Sequence, residues 1–139
     1  MKQIVVVAAV IENSERILCV KRPANKYLYI SHKWEFPGGK IEEGESKEHA
    51  LEREISEELA IDITIGDPIL TVEHQYPDFH ITMHALHCAL ASSHEESDIE
   101  LTEHVDLRWI SRADPAFSEL DWAAADVPIV NALVLSEES

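Results

Sequence analysis

Hydrophobic positions along this chain recur with two periods, and the change from one to the other marks out its elements. Residues 3–11 (QIVVVAAVI) form a β-branched run, Glu12-Asn13-Ser14-Glu15 supplies a turn, and residues 16–22 (RILCVKR) form a second extended run. The two together predict a β-hairpin. Residues 23–33 read as an irregular loop of polar and aromatic residues. Trp34-Glu35-Phe36 is expected to be extended, because Pro37 disfavours the helical region for the residue before it. Pro37-Gly38-Gly39 is expected to be a tight turn.

From Ser46 the period changes. Leu51, Ile55 and Leu59 recur every four residues and Ser46 suits an N-cap, so the spacing predicts a helix over 46–60. Residues 63–75 and 79–91 read as two longer strands joined by a turn at Tyr76-Pro77-Asp78. The acidic stretch 92–103 reads as a loop, 105–111 as a strand, and 123–135 as a second helix carrying Val127, Ile129, Val130, Leu133 and Val134. Residues 136–139 are expected to fray. No repeat or linker interrupts the pattern, so the expectation is one domain over residues 1–139, of α+β or α/β/α sandwich class with a mixed sheet between helices.

Charge narrows the function classes. Eleven Lys and Arg against 27 Asp and Glu leave a net charge of −16. Such a chain repels nucleic-acid backbones and anionic membranes, so neither is expected as a partner. A small anionic substrate remains compatible if a cation mediates. Cys19 and Cys88 lie far apart in apolar runs without redox or zinc spacing, which predicts buried free thiols and a reducing compartment. The N-terminal apolar run is broken by Glu12 and reads as a strand rather than a signal peptide. No apolar run reaches the length needed to cross a bilayer. The expectation is a soluble, cytoplasmic protein, monomeric or homodimeric.

The helix 46–60 carries an unusual concentration of acid in Glu52-Arg53-Glu54-Ile55-Ser56-Glu57-Glu58-Leu59. At 100° per residue, Glu54, Glu57 and Glu58 fall within about a quarter turn, beside the apolar stripe. Glutamates at i, i+3 and i+4 repel one another. They also supply the oxygen donors that a hard divalent cation such as Mg²⁺ takes. By itself the pattern equally describes a solvated acidic face.

The residues before it change the reading. Gly39 is followed by five residues and Glu45, then by seven residues and Arg53-Glu54-Ile55, then by Glu57-Glu58 and Ile61. This run, residues 39–61, resembles the signature of the Nudix hydrolase family. The one departure is Ala60, where the family pattern has glycine; the helix is expected to end slightly differently there. The resemblance implies a Nudix α/β/α sandwich in which Glu54, Glu57 and Glu58 bind Mg²⁺, with Mn²⁺ as a substitute, and a backbone carbonyl of Gly38 or Gly39 completes the site. It implies that Arg53 orients the carboxylates and that Glu45 braces the loop or touches the metal. The alternative role it implies for Glu54 is to orient or deprotonate the attacking water.

The resemblance extends to enzymes of MutT type that cleave nucleoside triphosphates, and to bacterial CTP pyrophosphohydrolases in particular, through Lys21-Arg22-Pro23, Trp34–Lys40, Leu107–Ser111 and Ala124–Pro128. It implies that Arg22 binds phosphate, with Lys40 either a second phosphate contact or a plain surface cation. Glu103 matches an acidic loop residue that can act as an extra metal ligand or base, a role open to Glu100 as well. Asp126 matches a position that contacts the base, where a carboxylate would accept from the N4 amino group of cytosine; its alternative is a simple N-cap. Phe79, at the substrate end, stands where the enzyme for oxidised guanine has arginine. The resemblance therefore implies hydrolysis of CTP, dCTP or modified cytosine nucleotides, with 8-oxo-dGTP as the alternative substrate. A nucleotide-binding module without activity is the rival of another class, and the retained carboxylates argue against it. The histidines, including His74, His80, His84 and His87, match no zinc spacing and are expected to be structural or superficial.

Overall fold

β1 (Lys2–Asn13) is the organising strand of a mixed sheet. The computed structural model describes residues 2–138, with side chains to Ser136. Along its length β1 runs parallel to β6 (Phe79–Leu90), from Lys2 opposite Phe79 to Ile11 opposite Cys88. Its far end turns into β2 (Arg16–Lys21) through Ser14 and Glu15, both left-handed, which is the backbone a tight hairpin requires. β2 pairs on one side with β3 (Trp34–Glu35) and on another with β7 (Asp106–Ile110). β5 (Ile63–Gln75) pairs antiparallel with β6 and forms an outer edge, with register shifts between Ile65 and Leu70.

Residues 37–39 are not the tight turn that their composition suggested. Gly38–Lys40 form β4, antiparallel to Val6–Ala8 of β1. A Cβ on Gly38 would overlap the carbonyl oxygen of Val7, and one on Gly39 would overlap the Glu54 carboxylate. The glycines are there for close approach.

α1 (Lys47–Leu59) covers one face of the sheet, and α3 (Val127–Glu138) covers the other. Alternation along β1 serves both layers: Val7, Ala9 and Ile11 pack with Leu51, Ile55 and Leu59, while Ala8 and Val10 pack with Ile129, Val130 and Leu133. The last helix starts later than 123, because residues 124–126 form a 3-10 turn, and it continues to Glu138 rather than fraying from residue 136. Ser139 lies outside the described residues. A short helix α2 (Pro115–Glu119) had no periodic signal; Asp114 caps it and Phe117 anchors it in the core. Cys19 and Cys88 are free and buried, and burial pushes both thiols up to about 12.

Candidate active site

The acidic helix is fixed at both ends and along its back. Ser46 Oγ accepts from the His49 N–H at 3.0 Å, and Leu51, Ile55 and Leu59 are wholly buried. Ala60 does take the left-handed conformation, with φ 58° and ψ 31°, and its N–H donates to the Ser56 carbonyl. The helix therefore ends as a glycine would end it, at a cost of about 1 kcal/mol for the methyl group.

With its back pinned, the helix sends its three clustered glutamates into different surroundings. Glu58 is 5% exposed, and its Oε2 accepts from the Gly38 N–H at 3.1 Å. Burial, followed by repulsion from Glu35, Glu103 and Glu54, pushes its carboxyl up to about 9. Glu54 is also raised, mainly by burial, against the pull of Arg53. The Glu57 side chain is 58% exposed and borders the site from outside. Arg53 draws the acidic elements together. Its Nε and one terminal nitrogen reach both oxygens of Glu45 at 2.8 Å, the other terminal nitrogen reaches Glu54 Oε1 at 2.9 Å, and the Lys40 carbonyl accepts at 3.1 Å. This fork holds the Glu45 carboxyl down at about 2 and raises the guanidinium further above its ordinary value.

A cleft of about 450 Å³ opens beside these groups. Glu54, Glu58 and Glu103 line it together with Gly38, Gly39, Lys40 and Arg22. Val6, Ala8, Phe36, Ile81 and Met83 form an apolar wall. Seven residues separately singled out in the sequence thus share one cavity: Arg22, Gly38, Gly39, Lys40, Glu54, Glu58 and Glu103. Arg53, Glu57, Phe79 and Asp126 stand outside its lining. Phe79 packs among Tyr27, Tyr29 and Tyr76, with the Tyr76 ring 5.1 Å away. Asp126 is 2% exposed, and its Oδ1 accepts from the Phe36 N–H at 3.0 Å. It holds Phe36, in the connection between β3 and Gly38–Lys40, rather than the start of its own helix. Burial and the nearby Glu35 raise its carboxyl well above the ordinary range.

Two cleft residues were missed by sequence reasoning. Glu35 takes Arg22 on one oxygen at 3.0 Å and His104 Nε2 on the other at 2.9 Å. His104 was passed over with the other histidines, although its side chain is only 3% exposed. Its neighbour Glu103 was the available signal, but nothing local pairs it with a residue 69 positions earlier. His84 bonds Thr71 and His74 packs on Tyr76, outside the cleft.

The donor set suits a hard cation, being carboxylate and backbone oxygen. Among the described residues, no three acidic, histidine or cysteine groups already converge as a ready-made cage.

The chain is similar to known proteins over nearly its whole length. A model of the NUDIX domain matches residues 6–132. The CTP pyrophosphohydrolase of Escherichia coli (strain K12) is 37% identical over 134 residues, covering 96% of this chain and 93% of that protein. The 8-oxo-dGTP diphosphatase of Proteus vulgaris is 40% identical over 83 residues, 59% of this chain and 72% of that one. The solution structure of the E. coli ORF135 protein superposes with a TM-score of 0.79 at 34% identity, covering 99% of this chain and 92% of that chain.

Proposed function

The chain belongs to the Nudix family of hydrolases that act on phosphoric anhydrides, and on that premise we propose that it cleaves nucleoside and deoxynucleoside triphosphates to the monophosphate and pyrophosphate in the presence of Mg²⁺, cytosine nucleotides first. The observation that carries the reaction is the meeting, in one cleft, of the carboxylates Glu54, Glu58 and Glu103 with the cation of Arg22. Bound Mg²⁺ supplies polarisation of the phosphoryl oxygens, a lowered pKa for water and compensation of the leaving group's charge.

The protein's own groups divide the remaining work. Glu57 and Glu58 would hold the cation with a carbonyl of Gly38 or Gly39. Glu54 is pinned through Oε1 by Arg53, which leaves Oε2 to orient the attacking water and take its proton. Arg22 gives one nitrogen to Glu35 and offers the rest of its fork to phosphate oxygens, with Lys40 beside it. Asp126 commits Oδ1 to Phe36; its second oxygen is the acceptor proposed for the N4 amino group of cytosine, which requires the base to reach behind the cleft lining.

The cytosine preference is supported by the near full-length similarity to the CTP pyrophosphohydrolase and by Asp126 and Phe79. Similarity to 8-oxo-dGTP diphosphatases supports the second reading, 8-oxo-dGTP as substrate. A panel of NTPs and modified dNTPs, compared by kcat/KM, decides between them. A tenfold preference for 8-oxo-dGTP over CTP and dCTP, about 1.4 kcal/mol, reverses the ranking. Glu57→Gln and Glu58→Gln should each lose most Mg²⁺-dependent pyrophosphate release; full activity in both would overturn the metal assignment.

A further inference from the structure

Helix α1 ends on carbonyls that find no partner within the helix, and its last turn has no basic residue to offset them. A segment from beyond β6 takes them up. Thr102 Oγ1 donates to the carbonyls of Glu57 at 2.8 Å and Glu58 at 3.1 Å, and the Thr102 N–H also reaches the Glu58 carbonyl at 3.1 Å. The Glu100 N–H donates to the Leu59 carbonyl at 2.9 Å. The two residues whose carboxylates are assigned to the cation are thus held at their backbone by one hydroxyl.

Immediately beyond Thr102 lies Glu103, which lines the cleft, and then His104, bonded to Glu35. The Val105 N–H closes this segment onto the Lys21 carbonyl at 3.0 Å. Glu103 therefore sits between two anchors one residue away on either side. One is the end of the helix bearing the acidic cluster; the other is the Glu35 that also holds Arg22. A carboxylate in that place is repelled by Glu54 and Glu58, and its charge contributes to the raised carboxyls of both. Without anchors, the acidic loop would move away from the site.

We propose that Thr102 and His104 are positioning residues that hold the Glu103 carboxylate at the cation end of the cleft, Thr102 by tying it to the backbone of Glu57 and Glu58. This rests on the cation site described under the proposed function. A purely structural helix cap would predict something different: lost stability with unchanged chemistry in the folded fraction.

The test is a double-mutant cycle of Thr102→Val, Glu103→Gln and their combination, with Thr102→Ser as the conservative variant. Each is assayed for kcat/KM, for Mn²⁺ affinity by calorimetry without nucleotide, and for Tm. Thr102→Val should lose about tenfold in kcat/KM or in Mn²⁺ affinity, as residues that orient metal ligands do. Thr102→Ser should restore most of it. The double variant should lie within about twofold of Glu103→Gln alone, because both changes remove the same contribution. A Thr102→Val protein with lowered Tm but unchanged kinetics and Mn²⁺ affinity overturns the proposal. So do losses that multiply in the double variant, and so does a silent Glu103→Gln. If Thr102→Val does not fold, His104→Gln combined with Glu103→Gln carries the same cycle. Glu58→Gln separates the two failures: its full activity sinks the cation reading itself, whereas its inactivity beside an additive cycle removes only the positioning role.

Discussion

Two polar networks meet at the cleft, and they are assembled in opposite ways. The network around Arg53 reaches Glu45, Glu54 and Glu57 at separations of eight, one and four residues. The network around Glu35 takes Arg22 from 13 residues away and His104 from 69, while neighbouring Phe36 is held by Asp126 from 90. Helix pitch and one loop length fix the first. The second exists only because β2, β3, β7 and the turn before α3 are brought side by side. Local spacing can encode a constellation of ligands, but it cannot encode which distant partner braces it.

Four changes break or sharpen that contrast. The largest effect is expected at Glu58. Glu58→Gln should lower kcat by about three orders of magnitude, roughly 4 kcal/mol. It should also raise the Tm of the metal-free protein in EDTA at neutral pH, because a carboxyl pushed up to about 9 must take up a proton on folding there and a glutamine need not. A variant that was inactive and also less stable would show that Glu58 serves the fold as well.

Next comes the long-range network. Glu35→Gln leaves Arg22 and His104 without their charged partner, so it should cost about 2 kcal/mol in denaturant unfolding and roughly 10- to 100-fold in kcat/KM. If stability falls and kcat/KM does not, the network is only a brace.

Glu45 gives a smaller and pH-dependent effect. Arg53 depresses its folded carboxyl from 4.5 to about 2. The stabilisation is therefore fully present above the unfolded value and is lost as pH falls through the folded one. The Tm difference between wild type and Glu45→Gln should be constant near neutrality and should shrink as the pH drops from 4.5 toward about 2. An equal difference at neutrality and at the acid end would remove the charge-assisted bond as its cause.

The smallest change is Ala60→Gly. Releasing the left-handed alanine should add about 1 kcal/mol of stability, raising Tm by about 3 °C without altering kcat. A gain in kcat would mean that the helix end is coupled to the chemistry.

Legibility follows the same division. The strands, the acidic helix and most cleft residues were readable because alternation and four-residue recurrence survive in any tertiary context. Gly38 and Gly39 were read as a turn because composition reports that a Cβ is missing, not whether a turn or a crowded strand requires it. The short α2 left no periodic signal in five residues. His104 looked like the surface histidines, since burial is a property of the packed molecule.

The sequence by itself determined the family, the two-layered burial pattern of β1, and the run from Gly39 to Ile61 with its helix, loop and carboxylates. These depend on chain geometry over a few turns. Only the tertiary structure decided that two of the three clustered glutamates, Glu54 and Glu58, line the cleft and that Glu35 links Arg22 to His104. It also decided that Asp126 holds Phe36 and that Thr102 closes the helix end. Each of those depends on sheet register and on water being excluded by residues far away along the chain, and neither has a local signature.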